Sequence, residues 1–214
     1  MDRHFDEELK KVKEDILQMA SLVEDSITKS LEAAKKVDIE LAKTIREIDE
    51  KIDDLEIAIE EKCISLIATH QPVGSDLRFL IGIIKMNNDL ERMGDHAVNI
   101  SDSVKFIAEQ PPVQQQVSNI WEMSRIANRM LKESVESFIS NDPVRAQKVC
   151  EQDSTVDRMK DELEKPQTIG FATQYLLIAR NLERIADLST NICEDVIYIA
   201  QARVIKHHAE TKKT

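Results

Sequence analysis

Glu91, Asp95 and Asn99 stand at i, i+4 and i+8, and Glu183, Asp187 and Asn191 repeat that spacing further along the chain. An acid follows each set at i+11, Asp102 in one case and Glu194 in the other. At 3.6 residues per turn this spacing draws a polar stripe down one side of a helix. Carboxylates with an amide nearby form an oxygen-rich donor set, which suits hard or borderline cations such as Mg, Ca, Mn or Fe. Two further pairs, Asp49 with Asp53 and Asp153 with Asp157, keep the same four-residue step.

Spacing alone selects little, because a chain with 40 acids in 214 residues contains several such pairs by chance. Like charges at this step slightly destabilise a helix, and most such pairs are solvated faces. A duplication marks these out. Asp89–Ala108 and Asn181–Ala200 align at a constant offset of 92, with nine of twenty positions identical. In both copies the acids flank an apolar stripe: Ile83, Leu90, Ala97 and Val104 in the first, Tyr175, Leu182, Ser189 and Val196 in the second. Acids at that boundary can meet a neighbouring helix.

The elements that must position them are helices. Four Gly, five Pro, 4% aromatic and 32% charged residues suit long helices, and nothing alternates with period two, so the fold is read as all-α. Phe5, Leu9, Val12, Ile16, Met19, Val23, Ile27, Leu31 and Ala34 predict a first helix from about Phe5 to Lys36. Asp38 is its successor's N-cap, and Leu41, Ile45, Ile48, Ile52, Leu55 and Ile59 carry the second helix over about 39–69. Pro72 and Gly74 break the chain before a third helix, about Asp76 to Ile107. After a linker at Glu109–Val113 the plan repeats: a fourth helix at about 114–140, a fifth from Pro143, capped by Asn141 or Asp142, to about Glu164, and a sixth at about 169–203. Short connections make consecutive helices antiparallel, giving six helices in two pseudo-symmetric three-helix bundles, residues 1–110 and 113–204, with a polar tail at 205–214.

In an antiparallel hairpin, residues at one level share a midpoint. Asp49 with Asp95, and Asp53 with Glu91, are both centred on Pro72 at the turn. Asp153 with Asp187, and Asp157 with Glu183, are both centred on Gly170, a few residues from Pro166. Each bundle should therefore bring four carboxylates from two helices within about 10 Å at ordinary helix spacings. Four like charges that close require protonation, cationic neighbours or bound cations. Neutralisation by Arg46, Arg92, Arg184 and nearby lysines is one reading, and an oxygen-rich metal site in each bundle is the other.

Other features narrow the choice. No Glu-x-x-His occurs, since Ile67, Met93, Val204 and Ile205 stand three residues before the four candidate histidines, which weighs against ferritin-like dioxygen chemistry. His96 follows Asp95 and is a candidate nitrogen ligand, although its counterpart is Leu188. Cys63, Cys150 and Cys193 form no C-x-x-C and read as buried thiols of a reducing compartment. Trp121 and the methionines read as core residues. A net charge of -11 repels phosphate backbones, so nucleic acid is not an expected partner. The chain opens without a signal-like segment and has no membrane-spanning run, so a cytoplasmic protein is expected. Gly-rich phosphate loops, H-E-x-x-H and G-x-S-x-G are all absent, and no catalytic residues are assigned.

The segments QPVGSDLR at Gln71–Arg78, DLERMGD at Asp89–Asp95 and NLERIAD at Asn181–Asp187, with the Asp-x-x-x-Asp pairs on the second and fifth helices, resemble the PhoU family. The resemblance covers nearly the whole chain. It implies two pseudo-twofold-related bundles, each able to hold a cluster of iron, zinc or similar divalent or trivalent ions, with Mg, Mn or Ca as further candidates. The implied ligands are Asp49, Asp53, Glu91 and Asp95, then Asp153, Asp157, Glu183 and Asp187. The implied function is negative regulation of phosphate uptake and phosphate-starvation signalling, as an adaptor between the phosphate ABC transporter ATPase and a sensor histidine kinase. Membrane association is expected only through those partners, and a homodimer is the expected assembly. A metal-carboxylate hydrolase, a phosphate-handling enzyme and a metal-free helical scaffold are the alternatives. The fifth-to-sixth connection is shorter than is usual for the family, and Ala186 and Leu188 replace Gly94 and His96 in the second copy.

Overall fold

A computed structural model describes residues 3–109, 118–164 and 173–201. Six helices follow one another: α1 (Arg3–Lys36), α2 (Ile39–His70), α3 (Ser75–Ala108), α4 (Ser118–Ser140), α5 (Pro143–Leu163) and α6 (Thr173–Gln201). Among the described residues there is no strand. The expected starts of the fourth and sixth helices, most of the 109–113 linker, the turn around Pro166 and the polar tail lie outside the described residues.

The helix ends follow local chemistry. Asp38 caps α2 by accepting from the Leu41 amide at 3.0 Å. Asp142 caps α5 by accepting from the Val144 and Arg145 amides, both at 3.0 Å, with Pro143 in the first turn where no amide is needed. Of the two expected caps for α5, Asp142 takes the role, while Asn141 occupies the left-handed backbone region at φ 51°. Gln71 ends α2 in the same left-handed region, its amide donating to the Ile67 carbonyl at 3.1 Å.

The apolar periodicity becomes the core. Val12, Ile16, Met19, Val23 and Ile27 of α1 bury against Ile45, Ile52 and Ile59 of α2 and Ile83, Leu90, Ala97 and Val104 of α3. Ile120, Ala127, Leu131 and Phe138 of α4 do the same with Val149 and Val156 of α5 and Leu182, Ile185 and Val196 of α6. Within each trio every helix packs on the other two, and the trios meet mainly along α3 and α6. Lys85 pairs with Asp195 at 2.7 Å and His96 with Asn181 at 2.9 Å, so α3 and α6 run antiparallel. Trp121 is only half-buried at the edge of the core, with the Lys35 ammonium 5.7 Å above its ring. All three cysteines are buried, and none is in a disulfide.

Candidate functional site

The α2/α3 hairpin holds the first chamber, an open one in which Asp49, Glu56 and Glu91 are half-buried and Asp53 and Asp95 are exposed. Glu91 lies among Asp95, Asp53 and Asp49 as the shared midpoint requires, and burial followed by repulsion from Asp95, Glu56, Asp53 and Asp49 pushes its carboxyl up to about 7. Asp49 is pushed up to about 6 by burial, then by Asp53 and Asp95, with Arg46 opposing. Asp53 is raised by burial and then by Asp95. The structure therefore brings all four expected acids of this bundle into one electrostatic cluster, and it adds a fifth, Glu56, which the four-residue step does not pick out. Glu56 lies three residues beyond Asp53, still on the same helix face, and that i+3 step is the signal that could have found it.

Two details shape the chamber. A side-chain carbon at Gly94 would stand 3.2 Å from Asp49 Oδ1 and 3.2 Å from Ile52 Cδ1, so the bare backbone there lets α2 approach. Asn87, one turn before Glu91, donates from Nδ2 to the Glu56 carbonyl at 2.9 Å while its buried Oδ1 has no hydrogen-bond partner.

The second chamber lies where α5, α6 and α3 meet. Asp153, Asp157, Glu183 and Asp187 line one cavity of about 590 Å³, so the four expected acids of this bundle are together as well. Asp153 is buried, and Asp187 is raised by burial, then by Glu183, with Arg184 opposing and Asp157 adding. Thr190, only 3% exposed, also lines this cavity, and its buried hydroxyl has no hydrogen-bond partner.

Fixed cations divide the two chambers. In the second, Lys160 lies 3.4 Å from Glu183 and Arg184 lies 2.9 Å from Asp187. In the first, no carboxylate of the cluster has an ion-pair partner among the described residues. Arg46 is instead held by both carboxylate oxygens of Asp102 at 2.8 Å, and Arg92 turns to Asp89 at 3.9 Å. Neutralisation by ion-paired basic side chains thus describes the second chamber, whereas in the first Arg46 acts on Asp49 only from a distance.

Arg92 and His96 reach from α3 into the cavity of the other bundle. Asn181 Nδ2 donates to the Leu177 carbonyl at 2.8 Å, which makes Asn181 Oδ1 the acceptor for His96 Nδ1 at 2.9 Å. Burial holds the imidazole below its ordinary range, and Arg92 and Arg184 push the same way. A neutral ring with its proton on Nδ1 leaves the Nε2 lone pair as a donor. Sequence reasoning placed His96 beside Asp95, whereas it serves the opposite chamber, because hairpin register carries no information about how two bundles dock.

Among the described residues, no three His, Cys, Asp or Glu side chains are already drawn together closely enough to hold a metal ion. The fit to a cation is one of donor chemistry. Mutually repelling carboxylates, with Asp49 brought close to α3 at Gly94, and the orphaned Asn87 and Thr190 oxygens supply hard donors that side-chain rotation would draw inward. No helix among the described residues is long and apolar enough to cross a membrane.

Two antiparallel-docked three-helix bundles with a paired-carboxylate face in each define a duplicated, all-α class of protein. The PhoU domain matches the chain twice, over residues 16–104 and 120–196, and the chain belongs to the PhoU family. It is 42% identical over 209 residues to the phosphate-specific transport system accessory protein PhoU homolog of Aquifex aeolicus, covering 94% of each chain. The homolog of that name from Clostridium acetobutylicum is 35% identical, with 94% of this chain and 96% of the relative covered. The crystal structure of PhoU from Pseudomonas aeruginosa superposes with a TM-score of 0.86 at 32% identity, over 93% of this chain and all of that one.

Proposed function

We propose that this protein is an accessory regulator of the phosphate-specific transport system. It acts as a metal-binding adaptor that joins the phosphate ABC transporter ATPase to its sensor histidine kinase and holds phosphate uptake and starvation signalling down. The observation that carries this reading is full-length membership in a family whose relatives bear that accessory name, with the family's paired carboxylates level in both bundles. The role is regulatory, and the protein works as a cytoplasmic homodimer that reaches the membrane through its partners.

Asp49, Asp53, Glu91 and Asp95 would hold ions in the first chamber, joined by Glu56. Asp153, Asp157, Glu183 and Asp187 would hold them in the second. Iron or zinc, or else Mn, Mg or Ca, would neutralise carboxylates that otherwise repel one another, and so fix the helix hairpins that form the outer surface. The burial and then the crowding that raise Asp49 and Glu91 support this role.

The test is a pull-down of the purified transporter ATPase and the kinase's cytoplasmic portion by the full chain, with chelator and with added Fe²⁺ or Zn²⁺. Metal-enhanced capture of both is expected, weakened by Glu91→Gln combined with Glu183→Gln. Capture of neither partner under any metal condition refutes the adaptor role. Elemental analysis of untagged protein that finds no metal refutes the metal part alone.

A further inference from the structure

The duplication sets Lys160 where the first bundle has Glu56. Each stands three residues beyond the second aspartate of its helix, Asp157 or Asp53, and each faces the glutamate of the neighbouring helix, Glu183 or Glu91. One exchange therefore turns a fifth carboxylate into an ammonium at the same place in the hairpin. Lys160 is well packed, its side chain 19% exposed, and it lies 3.1 Å from Asp161 as well as 3.4 Å from Glu183. Arg184 adds a second fixed positive charge beside Asp187. Among the described residues the first chamber has five carboxylates and no ion-paired cation, whereas the second, with Glu194 counted, has five carboxylates and two ion-paired cations, and Arg92 also lines it.

We propose that the two chambers are unequal cation sites. The first binds divalent ions tightly, and the second binds them weakly because the Lys160 ammonium takes the place of a bound ion. This rests on the metal-binding reading above. An ion entering the second chamber must displace or confront Lys160, while one entering the first relieves repulsion among Asp49, Asp53, Glu56, Glu91 and Asp95 and has no ammonium to displace. In each chamber a buried oxygen with no partner, Asn87 Oδ1 or Thr190 Oγ1, stands ready as a neutral donor, so the chambers differ chiefly in charge.

The test titrates Mn²⁺ into the chelator-stripped full chain by calorimetry, with elemental analysis after desalting. Two classes of site are expected, with Glu91→Gln abolishing the tight one and Glu183→Gln the weak one. Lys160→Glu tightens the weak class about tenfold or more, Lys160→Met, which removes only the charge, tightens it less, and Glu56→Lys weakens the tight class by a similar factor. Thermal unfolding in chelator checks the fold. There Lys160→Glu lowers the Tm relative to wild type, and Mn²⁺ raises it by more than it raises wild type. Where Lys160→Glu does not fold, Lys160→Met decides. Two classes of equal affinity, or a weak class unmoved by either Lys160 variant, overturns the inequality and leaves metal binding standing. Failure of wild type to bind Mn²⁺, Zn²⁺ or Fe²⁺ overturns both.

Discussion

Glu91 is a carboxyl that keeps its proton close to neutrality, at about 7 where 4.5 is ordinary, because burial and four acidic neighbours disfavour its charge. The folded protein therefore binds that proton more tightly than the unfolded chain does. Its share of stability is fully present below pH 4.5 and is lost as pH rises toward about 7; Asp49 acts likewise between 3.8 and about 6. In chelator, Glu91→Gln should match wild type at about pH 4 and exceed it at about pH 8, as read by urea unfolding. A difference that stays constant with pH would mean that Glu91 does not share a chamber with the other acids. The eight expected acids were legible because a repeat and a common midpoint singled them out. Glu56 and Lys160 were not, since their step is three residues and one acid among 40 bears no mark.

At the level of elements, the α2/α3 hairpin was readable almost to the residue. Asp38, Pro72 and Gly74 are punctuation whose backbone chemistry leaves few choices, and the apolar stripes on either side are long. The α5/α6 hairpin was readable in register, with its acids level despite a shorter span. The caps carry measurable weight. Asp142 accepts two amides of α5, so Asp142→Ala should cost about 1–2 kcal/mol in urea unfolding, and Asp38→Ala, which loses one bond, about 1 kcal/mol or less. Equal costs would argue that the second bond at Asp142 contributes nothing. Local sequence says which residues lie level within a hairpin and is silent on the angle at which two hairpins cross. That silence is why the sequence does not reveal that Arg92 and His96 line the cavity of the opposite bundle.

Across the whole molecule, α3 and α6 form the seam between the halves. Lys85 reaches Asp195 there, Asp89 is buried with its carboxyl pushed up to about 6 by burial and by Asp195, and Gly82 lets Ile199 and Phe138 pack close. So continuous an interface should make the halves unfold together, giving a single calorimetric transition whose calorimetric and van't Hoff enthalpies agree. Two resolved transitions would show that the halves are energetically separate. The seam also gives α3 two audiences: Glu91 and Asp95 project to one side of the rod while their sequence neighbours Arg92 and His96 project through the other into the opposite compartment. A twist or slide of this single shaft would shift Glu91 and Asp95 on one side and Arg92 and His96 on the other in the same movement, so the two compartments share one moving part.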